Sequence, residues 1–262
     1  MRKVISKDGT SIAFDQSGEG AAIILVGGAF TVRSQPTMVQ LAALLASHFT
    51  VFNYDRRGRG ESGDTPPYAV EREVEDLAAL IKEAGGSTFV WGWSSGAALA
   101  LEAAARGLAI TKLALYEAPF IVDDSRPPLP KDYVTRITEM ISSGRRGDAV
   151  EYFMTRAAEA PAEFVAQMRN TPMWEAMEAV AHTLIYDAAI MGGNNALPTE
   201  RVVSVRVPTL VIDGGASPAW MHHAAQAVAD TLPDAQRRTL PGQTHGVAAE
   251  AIAPVLEEFF AD

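Results

Sequence analysis

The 262-residue chain has no cysteine, only 22 lysines and arginines against 32 aspartates and glutamates, and no long apolar run. Each shortage excludes something. Without cysteine there is no disulfide framework, no thiolate nucleophile and no thiolate metal site. A net charge of −10 with a pI near 5.0 is the wrong sign for gripping a phosphate backbone, so no nucleic-acid partner is expected. The run Ala21–Val26 is among the longest apolar stretches and falls far short of the roughly 20 residues a membrane helix needs, so no membrane partner is expected. Residues Met1–Asp8 lack the apolar centre of a secretory signal, and a cytoplasmic location is the expectation. What is present is 48% hydrophobic residues, enough to bury a substantial core in one large domain or a domain with an insertion.

Strand and helix patterns alternate along most of the chain. Short alternating segments at Lys3–Ser6 and Ser11–Asp15 flank the turn pair Asp8-Gly9 and predict a hairpin. Ala22–Val26 and Phe49–Tyr54 read as strands, the first an unbroken apolar run buried on both faces. Helices are expected over Thr37–Ser47 and Ala69–Ala84, and a further strand over Lys112–Glu117. From Val122 to Pro198 the glycine-punctuated strand pattern stops and helical periodicity takes over, with Tyr133, Ile137, Met140 and Ile141 on one face and Trp174, Met177, Val180 and Leu184 on another. Strand character returns at Pro208–Asp213 and Arg237–Leu240, alternating with helices over Ala219–Thr231 and Val247–Phe260. The expected class is α/β, a mainly parallel sheet with helices on both faces, formed by residues 1–121 and 199–262 and interrupted by a helical insertion at 122–198.

The most informative stretch is Thr88–Ala97, an apolar strand that runs into Gly92-Trp93-Ser94-Ser95-Gly96 and then an alanine-rich helix. A strand-to-helix turn this tight needs glycine on both sides and pushes Ser94 out at the carboxyl edge of the sheet, in front of a helix N-terminus that favours developing negative charge. Ser94 is therefore the candidate nucleophile. A serine hydroxyl reacts poorly until a hydrogen-bonded imidazole takes its proton. His245, in the loop between the last strand and last helix, can face the same edge, and serine-first, histidine-last is a known chain order for such a pair. His48, His222 and His223 fall at helix ends and read as surface or packing residues; His182 lies in the insertion.

Four features now stand together: Val26-Gly27-Gly28 after the third strand, Asp55-Arg56-Arg57-Gly58-Arg59-Gly60-Glu61-Ser62 after the fourth, the Gly92–Gly96 elbow, and His245 near the end. With them the chain resembles the α/β-hydrolase superfamily over nearly its whole length. The resemblance implies an eight-stranded α/β-hydrolase fold in which 122–198 is a cap, or lid, over the site. It implies an oxyanion hole of backbone N–H groups, from Gly28 or Ala29 together with Ser95. It also implies that the charges of Asp55, Arg57 and Arg59 pair among themselves.

The sequence departs from the family pattern in two places. Val26-Gly27 stands where many members carry His-Gly. Ser217, in Gly214-Gly215-Ala216-Ser217, stands where the triad aspartate is usual, and a serine cannot balance an imidazolium. Three carboxylate positions compete to replace it: Glu117 at the end of the sixth strand, Asp213 at the end of the seventh, and Asp123/Asp124 at the start of the insertion. Glu117 leads, because a subgroup of haloalkane dehalogenases and the lactone-cleaving zearalenone hydrolases place a catalytic glutamate there. The latter also resemble this chain at the elbow.

The resemblance implies acyl transfer by Ser94, His245 and Glu117 on an ester or lactone, with no metal or organic cofactor. Phe30, Trp174, Met177, Tyr186 and Trp220 are candidates for contact with a small apolar or aromatic substrate, the expected partner. A cofactor-free perhydrolase, a C–C bond hydrolase and a non-catalytic ligand receptor are the competing readings. The protein is expected to be a monomer or homodimer.

Overall fold

Apolar runs of about six residues, each bounded by glycine or a turn, are the lengths of buried strands, and they build the centre of the sheet. In the computed structural model, which describes residues 1–261, β1 (Arg2–Ile5) and β2 (Ser11–Ser17) form the expected antiparallel hairpin. There follow β3 (Ala21–Val26), α1 (Pro36–Leu45), β4 (Phe49–Tyr54), α2 (Val70–Glu83), β5 (Thr88–Trp93), α3 (Ser95–Ala105) and β6 (Ile110–Tyr116). The sheet resumes at β7 (Thr209–Gly214), and α10 (Ala219–Thr231), β8 (Ala235–Leu240) and α11 (Ala249–Ala261) complete it. Its eight strands lie in the order β1-β2-β4-β3-β5-β6-β7-β8, parallel from β4 to β8, with β2 antiparallel to β4.

Both faces of the sheet are covered, by two separate apolar clusters. One joins Ile24, Val26, Val90 and Leu113 to residues of α2, α3 and α10; the other joins Leu25, Trp91, Ala114 and Ile212 to α1 and α11. Alternation along each strand divides its side chains between the two. The strand order reverses at β3, so β3 and β5 leave the sheet in a crevice at their carboxyl ends, where open α/β sheets place their ligands.

Between β6 and β7 the chain runs through α4 (Tyr133–Ser142), α5 (Arg146–Arg156), α6 (Ala162–Met168), α7 (Pro172–Val180), a 3-10 turn (Ala181–Thr183), α8 (Leu184–Ile190) and α9 (Thr199–Val202). The helices α4 to α8 have a third apolar cluster of their own, containing Tyr133, Ile137, Val150, Trp174, Met177 and Leu184. The two periodic faces read from the sequence thus coincide with α4 and with α7 and the start of α8. The short helix α6 carries no such periodicity. A parallel bridge between Ile121 and Ala196 closes the insertion at its base. Among the described residues no helix is long and apolar enough to cross a membrane.

Candidate active site

The elbow is a packing consequence of its glycines. A Cβ at Gly96 would lie 2.3 Å from the Val26 carbonyl oxygen, and one at Gly92 2.6 Å from the Ala97 Cα, so β3, β5 and α3 meet this closely only without side chains there. Between them Ser94 is held at φ 58°, ψ −127°, a region that costs a non-glycine residue on the order of 1–3 kcal/mol. Its N–H donates to the Tyr116 carbonyl at 2.9 Å, which fixes the turn against β6.

Trp93 and Tyr116 are register partners on β5 and β6, so the residue after each emerges side by side. The residue after Tyr116 is Glu117. It too is left-handed, at φ 46°, and that twist ends β6 one residue before the expected boundary. Its N–H donates to the Ile212 carbonyl at 3.0 Å, and its Oε1 accepts the Gly214 N–H at 2.8 Å. The carboxyl is therefore clamped to β7 from the neighbouring strand.

His245 arrives on a loop held from three directions. The Tyr116 hydroxyl donates to the Thr244 carbonyl at 2.6 Å, the Trp93 indole to the His245 carbonyl at 2.9 Å, and the Ala216 N–H to the Gln243 carbonyl at 2.8 Å. His245 Nδ1 then lies 2.8 Å from Glu117 Oε2, and Nε2 lies 3.1 Å from Ser94 Oγ.

Burial pushes the Glu117 carboxyl up, but the hydrogen bonds from His245 and Gly214, with the nearby Ser217 hydroxyl, outweigh it and hold the group below the usual carboxylate range. An ionised carboxylate only accepts, so Nδ1 carries the proton. In the neutral ring Nε2 is then the acceptor for the Ser94 hydroxyl. The Ser217 oxygen is buried and, among the described residues, makes no hydrogen bond of ordinary geometry.

The other carboxylates are committed elsewhere. Asp213 is fully buried, accepts from Arg237 at 3.1 and 3.2 Å and from the Thr239 hydroxyl at 3.1 Å, and faces His222. Asp123 pairs with His223 at 2.6 Å on the surface, and Asp124 is exposed.

Gly28 runs alongside Ser94: a Cβ there would stand 2.7 Å from the Ser94 Cβ. The N–H groups of Gly28, Ala29 and Ser95 have no acceptor among the described residues, and all three residues border a cavity of about 290 Å³ that also contains Ser94 and His245. Its walls are mostly apolar, from Phe30, Tyr133, Phe153, Met154, Met191 and Trp220 among others. Phe30, at φ 60°, meets Phe153 edge to face at 5.2 Å, and Arg126 lies 4.6 Å over the Trp220 ring.

Three expected contact residues lie away from this cavity. Trp174 and Met177 turn into the insertion's own core; the Trp174 indole donates to Glu178 at 3.0 Å and Arg169 covers its ring. Tyr186 stacks on Tyr68 at 3.8 Å and donates its hydroxyl to Asp64 at 2.8 Å, bracing α8 against the loop before α2.

The arginine-rich loop also departs from expectation. Its arginines do not pair with Asp55, which instead accepts the N–H groups of Arg33 and Glu61 at 2.7 and 3.0 Å. Arg57 pairs with Asp76 and Asp8, while Arg56 and Arg59 reach Glu73 and Asp187. Asp187 escaped sequence reading. Its one signal is an acidic residue sharing the apolar face of α8 with Leu184, Ala188 and Met191.

The sequence model of the alpha/beta hydrolase family matches residues 23–258. The chain belongs to the alpha/beta hydrolase family. It is 61% identical to an alpha/beta hydrolase from Sphaerobacter thermophilus DSM 20745, covering 99% of this chain and 100% of that one, with a TM-score of 0.94. Two more distant structures share the fold. A thermophilic esterase from Thermogutta terrifontis is 23% identical over 99% of this chain and 97% of its own, with a TM-score of 0.75. The enol-lactonase from Burkholderia xenovorans LB400 is 22% identical over the whole of both chains, with a TM-score of 0.72.

Proposed function

We propose that this alpha/beta hydrolase is a serine hydrolase that cleaves a small, uncharged carboxylic ester or lactone through an acyl-enzyme. The observation that carries this is the unbroken line from Ser94 Oγ through His245 to a buried, ionised Glu117, at 3.1 and 2.8 Å. Ser94 attacks the carbonyl carbon while His245 Nε2 takes its proton. Glu117 holds the ring by Nδ1–H and stabilises the imidazolium, and the N–H groups of Ser95 and of Gly28 or Ala29 receive the oxyanion. His245 returns the proton to the departing alkoxide, and water repeats the sequence to free the acid. In a lactone the alkoxide stays tethered, and a hydroxy acid leaves.

The wall chemistry supports an uncharged substrate. Among the described residues no unpaired cation borders the cavity, and its one charged lining residue, Asp187, is already held by Arg56 and Arg59. A substrate carboxylate would lose its water there without gaining a partner. The volume of about 290 Å³ lies at the small end for ligand pockets.

The test is a panel of activated esters of increasing acyl length, simple lactones, and matched esters bearing a remote carboxylate. Turnover is expected to be highest for short neutral esters or lactones and to drop at least about 10-fold for the charged ones. Peroxide-dependent halide oxidation without hydrolysis of any ester would instead favour a perhydrolase.

A further inference from the structure

The reaction just described leaves one buried charge in the cavity wall without a task. Asp187 is 2% exposed, and it comes from α8 of the insertion rather than from the sheet. Its Oδ1 accepts from Arg56 at 2.8 Å and from the Ser95 hydroxyl at 2.7 Å, and its Oδ2 accepts from Arg59 at 2.7 Å. Burial pushes this carboxyl up, but Arg59 and Arg56 outweigh it and keep it ionised.

Both guanidinium groups continue to the loop after β3. Arg56 donates to the Gly27 carbonyl at 3.3 Å, and Arg59 donates to the Gly28 carbonyl. In a planar trans peptide the C=O and N–H point in opposite directions. Turning these two carbonyls toward the arginines therefore turns the N–H groups of Gly28 and Ala29 away from them, and both N–H groups are without an acceptor among the described residues. The other half of the expected oxyanion hole is the N–H of Ser95, whose side chain is the third ligand of Asp187. One carboxylate is thus tied to both halves, to Ser95 directly and to the Gly27-Gly28 segment through Arg56 and Arg59.

Resting on the serine-hydrolase reading, we infer that Asp187 is a positioning residue for the oxyanion hole. It orients the Gly27-Gly28 peptides through Arg56 and Arg59, and Ser95 directly. Because Asp187 belongs to the insertion, the hole is complete only when α8 is seated on the sheet. Arg59 also donates to the Thr183 hydroxyl at 3.0 Å, a second tie between the same loop and the insertion. Without Asp187, Arg56 keeps Glu73, held at 2.7 and 2.8 Å, whereas Arg59 loses the one carboxylate it pairs with among the described residues, beside a like charge. Burial and then Arg56 already pull the Arg59 pKa down, with Asp187 the first charge opposing them.

The test compares Asp187→Asn and Ser95→Ala with wild type, both separately and combined. Thermal melting, kcat and KM on an activated ester, the rate of Ser94 labelling by a fluorophosphonate, and inhibition by an aryl boronic acid are measured. Asp187→Asn is expected to lower kcat about 100-fold, as loss of an oxyanion donor does, with KM within about 3-fold. The boronic acid, whose tetrahedral adduct places an oxygen in the hole, should weaken by the same factor as kcat. Ser95→Ala should show a smaller loss of the same kind, and the combined variant should lose less than the product of the two.

A folded Asp187→Asn with a lower melting temperature but wild-type kcat and boronate affinity would overturn the inference. If that variant does not fold, wild-type kinetics in Ser95→Ala overturn it equally. A wild-type protein that takes no fluorophosphonate label overturns the serine-hydrolase reading itself, and this inference with it.

Discussion

The ends of β6 and β7 each carry a buried carboxylate, and only one of them faces the histidine. Glu117, just past β6, is left-handed and receives Gly214 N–H and His245 Nδ1. Asp213, inside β7, is 0% exposed yet surrounded by Arg237, Thr239 and His222. Burial alone therefore does not make a carboxylate a partner for His245. Direction does, and direction is set by the backbone: the turn at Glu117 lifts its side chain out of the strand alternation, whereas Asp213 stays within it. The position that usually supplies the acid in the resembling family, after β7, holds Ser217, whose hydroxyl is buried beside the Glu117 carboxylate.

The largest expected effect separates the two strand ends by rate. Glu117→Gln keeps the shape and removes the charge, and kcat on an activated ester should fall on the order of 10⁴-fold, as loss of a triad acid does. Steady-state kinetics that show a loss of less than about 10-fold would move the acid elsewhere.

The reverse experiment reads stability. Asp213→Asn leaves the partly exposed Arg237 beside a neutral group and weakens the charge-assisted hydrogen bonds into Asp213, and should destabilise by about 1–2 kcal/mol. Its kcat should stay within about 3-fold of wild type. Denaturant unfolding and kinetics on the same preparation check both halves, and a selective loss of kcat would erase the contrast between the strands.

A smaller effect follows from pH. The Glu117 carboxyl sits below its ordinary value, so its contacts stabilise the fold fully above the unfolded pKa of about 4.3 and that contribution is lost as pH falls through the lowered folded value. The stability gap between wild type and Glu117→Gln should therefore be constant near neutrality and shrink below about pH 4. Melting curves across acid pH test this; a gap that widens on acidification contradicts the lowered carboxyl.

Short-range chemistry carried the legible part of the molecule. Apolar runs, turn glycines and helical periodicity locate the sheet strands, the insertion and the elbow, because each depends on neighbours within a few residues. Ser94 and His245 follow from the elbow and the chain order. Glu117 was harder, since Glu117 and Asp213 both end apolar runs and local sequence does not say which backbone turns out of the sheet.

The side chains facing the cavity were the least legible. Periodicity marks Trp174 and Met177 as one apolar face but cannot distinguish a face that lines a pocket from one that fills the insertion's core. The pairing of Arg56 and Arg59 with Asp187 spans 131 and 128 residues, a distance over which sequence pattern carries no register.

The most direct measurement of the central claim is the site of fluorophosphonate attachment, located by peptide mass spectrometry in wild type, His245→Ala and Glu117→Gln. A single adduct on Ser94, formed rapidly in wild type and slowly in both variants, is the predicted result. No adduct on Ser94, or labelling that proceeds at the wild-type rate in both variants, would contradict the assembly of Ser94, His245 and Glu117 into one catalytic unit.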